Sequence, residues 1–213
     1  QNQRIYMAVE FNKVLCGYSE IVTYDTIIDN ETLMFLDQYT FFNFSAVGRD
    51  MTQHQNFTYC INPETGNFTH HTSYHKQADI EMEGEVIVDG NQLTLKSKEG
   101  KDKIISSLSS DVVLPNTQFY YYLLEDFCNT DLKEKTYNLY DPRAGEISES
   151  TYYKIGEEDL NLNGEIYQAM KFSQKDNTSG LETVFWIDKN DGMRLKMESQ
   201  SRLAMYITDS RVK

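Results

Sequence analysis

The sequence predicts a mainly β fold: a large antiparallel sheet, strongly curved or partly closed into an open barrel or sandwich, with one amphipathic helix packed on it. Three observations carry this. Apolar and polar residues alternate with a period of two over most of the chain, as in half-buried strands. Turn signals punctuate the alternation at short intervals. A single stretch, about 116–129, switches to helical spacing.

The elements follow in order. Ile5, Met7, Val9 and Phe11 alternate with polar neighbours and read as a strand. Asn12-Lys13 looks like a tight connection, and Val14, Cys16 and Tyr18 continue on one face, with Leu15, Gly17, Ser19 and Ile21 on the other. Residues 32–47 form a long apolar and aromatic strand ending at Gly48, and residues 50–61 answer it. Asn62-Pro63-Glu64-Thr65-Gly66 is a turn, because Pro presets φ and Gly permits φ > 0. Residues 67–83 read as one further long strand. Asp89-Gly90-Asn91 is a hairpin signal between Glu85–Val88 and Gln92–Ser97. Lys98–Asp102 is a charged loop.

After Leu114-Pro115 the pattern changes. Phe119, Leu123 and Phe127 lie four apart, and Tyr120, Leu124 and Cys128 form the adjacent row. Together they make one apolar helical stripe, with Tyr121, Glu125 and Asp126 outside it. Asn116 or Thr117 can cap the first turn. Strands then resume. Tyr137–Tyr140 is followed by Asp141-Pro142, and Asn163-Gly164 is a second hairpin signal between Leu160/Leu162 and Ile166. The loop Asp176–Gly180 leads to the strand Leu181–Ile187. Asp188–Gly192 is a third turn, Met193–Glu198 returns, and Arg202–Thr208 is the last strand. No repeat or linker divides the chain, so residues 1–213 are expected to form one β-rich domain.

Composition bounds the function classes. The 213 residues carry 39% hydrophobic and 13% aromatic side chains, and chains this rich in aromatics fold. Lys and Arg total 20 against 33 Asp and Glu, a net charge of −13. Such a surface repels phosphate backbones and anionic lipid, which argues against nucleic-acid binding. No apolar run approaches the roughly 18 residues that span a bilayer. The first residue is Gln1, as a removed export signal or a truncated chain would leave it. Cys16, Cys60 and Cys128 are odd in number and far apart, so they are expected to be packed, unpaired thiols that behave as small hydrophobes.

Each apparent chemical motif meets a physical objection. His54, His70, His71 and His75 include a pair four residues apart. On a helix that spacing suits zinc. On a strand it leaves the two rings roughly 13 Å apart at about 3.3 Å per residue, with His70 on the opposite face, so these are expected to be exposed strand histidines and no metal is expected. Asp159-x-Asn161-x-Asn163-Gly164 matches the first half of an EF-hand loop, which requires Glu at its twelfth position. That position is Met170. Counted from Asp188, it is Ser199. Cys16 lies inside a strand, whereas activated thiols sit at helix N-termini or beside cations. Glu157-Glu158-Asp159 reads as a solvated approach to a hairpin. Phe119-Tyr120-Tyr121-Tyr122 could stack sugars or bases, but its spacing favours core packing. Five Asn-x-Ser/Thr sequons stand at Asn30, Asn43, Asn56, Asn67 and Asn177, and they matter only in a eukaryotic secretory pathway. No catalytic residue, cofactor or metal ligand is assigned, and any ligand-binding residues are unknown.

Several stretches taken together resemble a known kind of domain. Val14-Leu15-Cys16-Gly17-Tyr18-Ser19-Glu20 is similar to the early strand of the N-terminal β domains that precede transglutaminase-like (papain-type) catalytic domains in bacterial exported proteins. The helix near 116–129, Tyr137–Tyr140 with Asp141-Pro142, Gly164, Lys171, Phe185-Trp186-Ile187-Asp188 and Gly192-Met193-Arg194-Leu195-Lys196 follow in the same order. The same features resemble periplasmic β proteins of unknown function, with curved sheets like those of lipoprotein carriers. The resemblance implies an exported, periplasmic or cell-surface, non-catalytic accessory domain. Its partner would be an unidentified protein or a neighbouring domain, and a membrane tether is conceivable. It carries over no functional residue, because the catalytic Cys of such proteins opens a helix and Cys16 does not. Two alternatives stand beside it. One is a carrier binding an apolar ligand in a concave cavity lined by Tyr39, Phe41, Phe42 and Phe44. The other is an uncharacterised hydrolase.

Overall fold

The computed structural model describes residues 3–46, 49–64, 68–89, 92–97, 100–106, 113–117, 119–128, 130–142 and 145–208. Period-two alternation does become strand. The elements are β1 (Gln3–Phe11), β2 (Val14–Ile28), β3 (Glu31–Ala46), β4 (Arg49–Ile61), β5 (Phe68–Gln77), β6 (Ile80–Asp89), β7 (Gln92–Leu95), β8 (Lys103–Ser106), β9 (Val113–Pro115), α1 (Tyr121–Cys128), β10 (Glu134–Asp141), β11 (Glu146–Leu162), β12 (Glu165–Asp176), β13 (Glu182–Asp188), β14 (Arg194–Ser199) and β15 (Leu203–Ile207). The fifteen strands join one sheet in the order β8-β7-β6-β5-β4-β3-β2-β1-β15-β14-β13-β12-β11-β10-β9. Neighbours are antiparallel except β9 and β10. First and last strands pair, Met7 with Ile207 and Phe11 with Leu203.

Local turn chemistry explains the hairpins. Asn12 and Lys13 both take positive φ (52° and 64°), as do Asn163 and Gly164 (54° and 86°). This is the two-residue turn whose twist matches the flanking strands. Two readings of the sequence need correction. The single strand expected over 67–83 is two, β5 and β6, reversed at Ala78, which takes φ 53°. No Gly, Pro or Asn marks that left-handed position. The helix expected at 116–129 starts only at Tyr121. Thr117 Oγ1 accepts from Phe119 N at 2.7 Å, and Phe119 then bridges Met193, which holds the backbone extended. The tips Thr65-Gly66 and Gly90-Asn91, the strand end at Gly48 and the loop residues Lys98-Glu99 lie outside the described residues.

The sheet coils so that its two ends face each other. Phe68 of β5 stacks on Tyr140 of β10 with ring centroids 5.9 Å apart. Tyr59 of β4 donates to the Asn116 carbonyl at 3.1 Å. The inner face forms one continuous core of Ile5, Met7, Val9, Leu36, Tyr59, Phe68, Leu139, Phe172, Phe185 and Ile207, among others. Within α1, Leu123 and Phe127 reach this core as the stripe requires, and Phe127 meets Phe172 edge-on at 5.2 Å. Tyr122 is also buried there, while Cys128 is exposed.

Candidate functional site

Towards one end the inner walls change from apolar to polar. On β2 and β3, Ser19, Gln38 and Thr40 are buried and bonded to one another: Ser19 Oγ lies 2.9 Å from Thr40 Oγ1, and Gln38 Nε2 donates to both hydroxyls at 3.2 and 3.1 Å. Across from them, Gln174 Nε2 of β12 donates to Ser150 Oγ of β11 at 3.2 Å. Between these layers lies a cavity of about 550 Å³. Its wall is mixed: Gln38, Thr40, Gln55, Ser150 and Thr183 alternate with Phe42, Phe57, Met197, Leu203 and Met205. That volume falls in the range of small-molecule sites, which are concave and carry a few placed polar groups.

Arg194 is the unusual member of this wall. It is only 8% exposed. Its Nη1 donates to the Tyr120 hydroxyl at 3.4 Å, and Nη2 approaches Met205 Sδ at 3.8 Å. Its Nε is buried and has no hydrogen-bond partner among the described residues. Buried charges are normally paired, because an unpaired one costs several times an ordinary hydrogen bond. A β-bulge puts it there. In the β13–β14 ladder Trp186 faces Lys196 but Ile187 faces Arg194, so Leu195 is the extra residue. Strict alternation would set Arg194 on the outer face beside Lys196. With the bulge, both Leu195 and Arg194 are buried. Bulges commonly re-aim side chains beside functional sites.

The segment before α1 completes the corner. Tyr120 N donates to the Gly192 carbonyl at 2.9 Å. Gly192 has φ 73°, and a Cβ there would stand 2.9 Å from Tyr121 N. Close backbone approach, possible only for glycine, thus holds Tyr120 over Arg194. Tyr120 also packs on Phe185 at 5.0 Å. Beyond it, the hydroxyls of Tyr122 and Tyr152 interact with each other without a hydrogen bond of ordinary geometry. Burial raises both well above the ordinary tyrosine range.

The residues weighed from sequence are scattered over the sheet. His70 sits outside and pairs with Glu85 at 3.0 Å. His71 was expected to be exposed. It is fully buried: it pairs with the buried Tyr59 in the regular part of the β4–β5 ladder, and a bulge at Thr69 lets Phe68 turn inward beside it. Its Nδ1 donates to the Thr58 carbonyl at 3.0 Å, its ring lies 4.2 Å from that of Tyr59, and desolvation lowers its pKa to about 4. His75 contacts Gln53, and His54 Nδ1 lies 2.9 Å from the Tyr39 hydroxyl. The histidines thus diverge, and among the described residues no group of three His, Cys, Asp or Glu gathers as metal ligands would.

Cys16 is the bulged residue of β1–β2 and donates to the Val9 carbonyl at 3.4 Å. Burial raises its pKa, which favours thiol over thiolate. All three thiols are unpaired, but only Cys60 is buried. Asn161 and Asn163 serve the hairpin: Asn161 Oδ1 accepts from Gly164 N, and Asn163 Nδ2 donates to the Ile207 and Thr208 carbonyls. Asp188 caps its own turn through Asn190 N at 2.8 Å. Glu157 pairs with Lys189, and Glu158 accepts from Trp186 Nε1. On the outer face Lys171 and Lys196 lie over the Trp186 ring at 4.7 and 4.8 Å, so three residues of the closing pattern meet there. Of the aromatics expected to line a cavity, Phe42 does. Phe41 and Tyr39 face outward, ringed with Tyr18 and His54, and the Phe44 side chain is outside the described residues. Asn30, Asn43, Asn56 and Asn177 are exposed, and Asn67 lies outside the described residues.

Sequence reasoning passed over Arg194 and Tyr120 as site residues. Arg194 shares its parity with Lys196, and the parity shift at Leu195 has no local signature. No protein-family model and no curated protein matches this sequence. Among solved structures, a β-barrel-like protein of the domain of unknown function DUF1849 from Brucella abortus is similar in fold. It superposes with a TM-score of 0.65 at 11% identity, over 99% of this chain and 96% of the other. A DUF1089 family protein from Pseudomonas aeruginosa gives a TM-score of 0.48 at 8% identity, over 81% of this chain and 87% of the other. The chain therefore has a β-barrel-like fold that it shares with a domain of unknown function.

Proposed function

We propose that this chain is a non-catalytic binding domain that seats a small molecule inside its coiled sheet. The observation that carries this reading is the cavity of about 550 Å³ between the Ser19–Gln38–Thr40 layer and the inner face of β11–β14. The space opens to solvent beside the exposed Glu146, Thr178, Ser179 and Leu181, which gives a ligand a way in. The mixed wall suits a ligand with both polar and apolar parts better than the purely apolar cargo suggested by the aromatic strand. Placement outside the cytoplasm, beside a transglutaminase-like domain or another partner, rests on the sequence resemblance. It would be tested by fractionating cells that express the full-length gene and by reading what that gene encodes after Lys213.

The cavity reading is tested by filling the cavity. Thr183 lines it and is half-buried. The native protein is expected to take up the solvatochromic dye Nile red saturably, one molecule per chain. Thr183→Trp is expected to abolish uptake while leaving the far-UV circular dichroism unchanged. Uptake that does not saturate, or that survives in the folded variant, would refute it.

A further inference from the structure

We infer that Arg194 is an anion anchor and that the ligand of the cavity carries a carboxylate or phosphate group. This rests on the reading of the cavity as a ligand seat. A guanidinium is permanently charged and offers five N–H donors in a planar fork that matches these anions. Here Arg194 is 8% exposed, and among the described residues its fork makes only a long contact to the Tyr120 hydroxyl and one to sulfur. Nε remains without a partner. Among the described residues no carboxylate pairs with it, although carboxylates were available. Asp176 lines the same cavity, yet its Oδ1 is held by Thr178 N, Ser179 N and Ser179 Oγ at 3.0, 2.6 and 2.9 Å. Asp141 and Glu146 also stand on the wall, Glu146 exposed. An anion therefore fits at the Arg194 end and is repelled from the acidic side.

The Tyr120 hydroxyl accepts from Nη1 and keeps its own proton to donate. Thr183 and Ser150 supply further hydroxyls to the wall, and Met197, Leu203 and Met205 supply apolar surface. This is the wall of a site for an organic anion with an apolar part. The chain's net charge of −13 disfavours anions at long range, so recognition depends on the short-range fork and on burial of that apolar part. The same chemistry could be presented by an acyl chain with an anionic head or by a free small anion.

Calorimetric titration of the full chain separates these. The probes are dodecanoate, dodecyl phosphate, dodecanol and inorganic phosphate, the alkyl compounds kept below micelle formation. Dodecanoate or dodecyl phosphate is expected to bind one molecule per chain, at least about tenfold tighter than dodecanol, the worth of one charge-assisted hydrogen bond. Arg194→Met is expected to remove that advantage, so that the anions bind no tighter than dodecanol, and to raise the melting temperature, because an apolar group of similar size replaces an unpaired buried charge. Arg194→Lys keeps the charge but not the fork, and should weaken the anions less than Met does. Arg194-dependent binding of inorganic phosphate alone would support a free small anion, and binding of the alkyl anions only would support an amphiphile. Dodecanol binding as tightly as the anions, or anion affinity unchanged in Arg194→Met, would overturn the anchor and leave the cavity reading standing. If Arg194→Met fails to fold, undiminished anion affinity in Arg194→Lys overturns it instead. Failure of every probe, the alcohol included, would overturn the cavity reading as well.

Discussion

At the scale of single residues, burial decides chemistry. His71 has the Thr58 carbonyl on Nδ1 and aromatic rings around the rest. Desolvation holds its pKa near 4 against an ordinary 6.5. The sign follows from linkage: the unfolded chain takes up a proton below pH 6.5, and the native state does so only near 4. Stability is therefore lost as pH falls through that window, by about 2 kcal/mol between pH 7 and pH 5 from this residue. His71→Phe, which keeps an aromatic ring in the cage, is expected to remove that increment. Urea unfolding of both proteins at the two pH values checks it, and an equal pH dependence in the two would disprove it. The sequence identifies the residue type and its strand, but not its exposure. His71 and His75 share a face by count, yet one is buried and the other contacts Gln53, because Tyr59 and Tyr140 pack over the first.

At the scale of elements, some turns chosen by backbone chemistry were legible, although the Asp29-Asn30 turn between β2 and β3 was passed over, and the turn imposed at Ala78 was not legible. Asn12, Asn163 and Gly164 are residues that tolerate positive φ, and Lys13 follows Asn12 into that region to close its two-residue turn. Ala78 does not advertise its turn, and the ladder on either side of it, Gln77 opposite Ile80, holds it there. The helix is shorter than its apolar stripe because Asn116 is committed to β4, and Phe119 and Tyr120 to the β13–β14 turn. Gly192 is the pivot of that commitment. Gly192→Ala would combine left-handed strain with a backbone clash against Tyr120 and Tyr121, at a cost of about 2–3 kcal/mol. Gly180→Ala meets open space at φ 71°, so it should cost only about 1 kcal/mol. Denaturation midpoints of the two variants test the difference. The Gly192 variant should also lose affinity for the cavity ligand, since Tyr120 hangs from the Gly192 carbonyl.

At the scale of the whole molecule, one sheet joins the chain's ends. β15 pairs with β1 through Met7–Ile207 and Ala8–Tyr206, and the Tyr206 hydroxyl donates to Glu10 at 2.8 Å. The two halves of the sheet share a core, with Val86 and Leu93 in the same cluster as Leu139 and Phe172. Unfolding is expected to be a single transition, with Trp186 fluorescence and far-UV circular dichroism coinciding in urea. Removing residues from Leu203 onward deletes the seam strand and should abolish cooperative unfolding. Separate transitions in the intact chain, or a cooperative truncated form, would instead mean two independent units.

The sequence by itself determined the β class, most of the strands, the hairpin turns at Asn12-Lys13 and Asn163-Gly164, and the apolar row of Leu123 and Phe127 in the helix. These depend on local φ/ψ preferences and on side-chain period, which neighbouring residues express without reference to the rest of the chain. Tertiary structure alone decided which side chains wall the mixed cavity inside the coiled sheet, and that Arg194 and His71 turn inward. The walls of that cavity come from strands more than a hundred residues apart, and the inward turn of Arg194 depends on a bulge that shifts parity by one. Period-two counting assumes an unbroken ladder, so it fails at the places where a bulge re-aims a side chain into the interior.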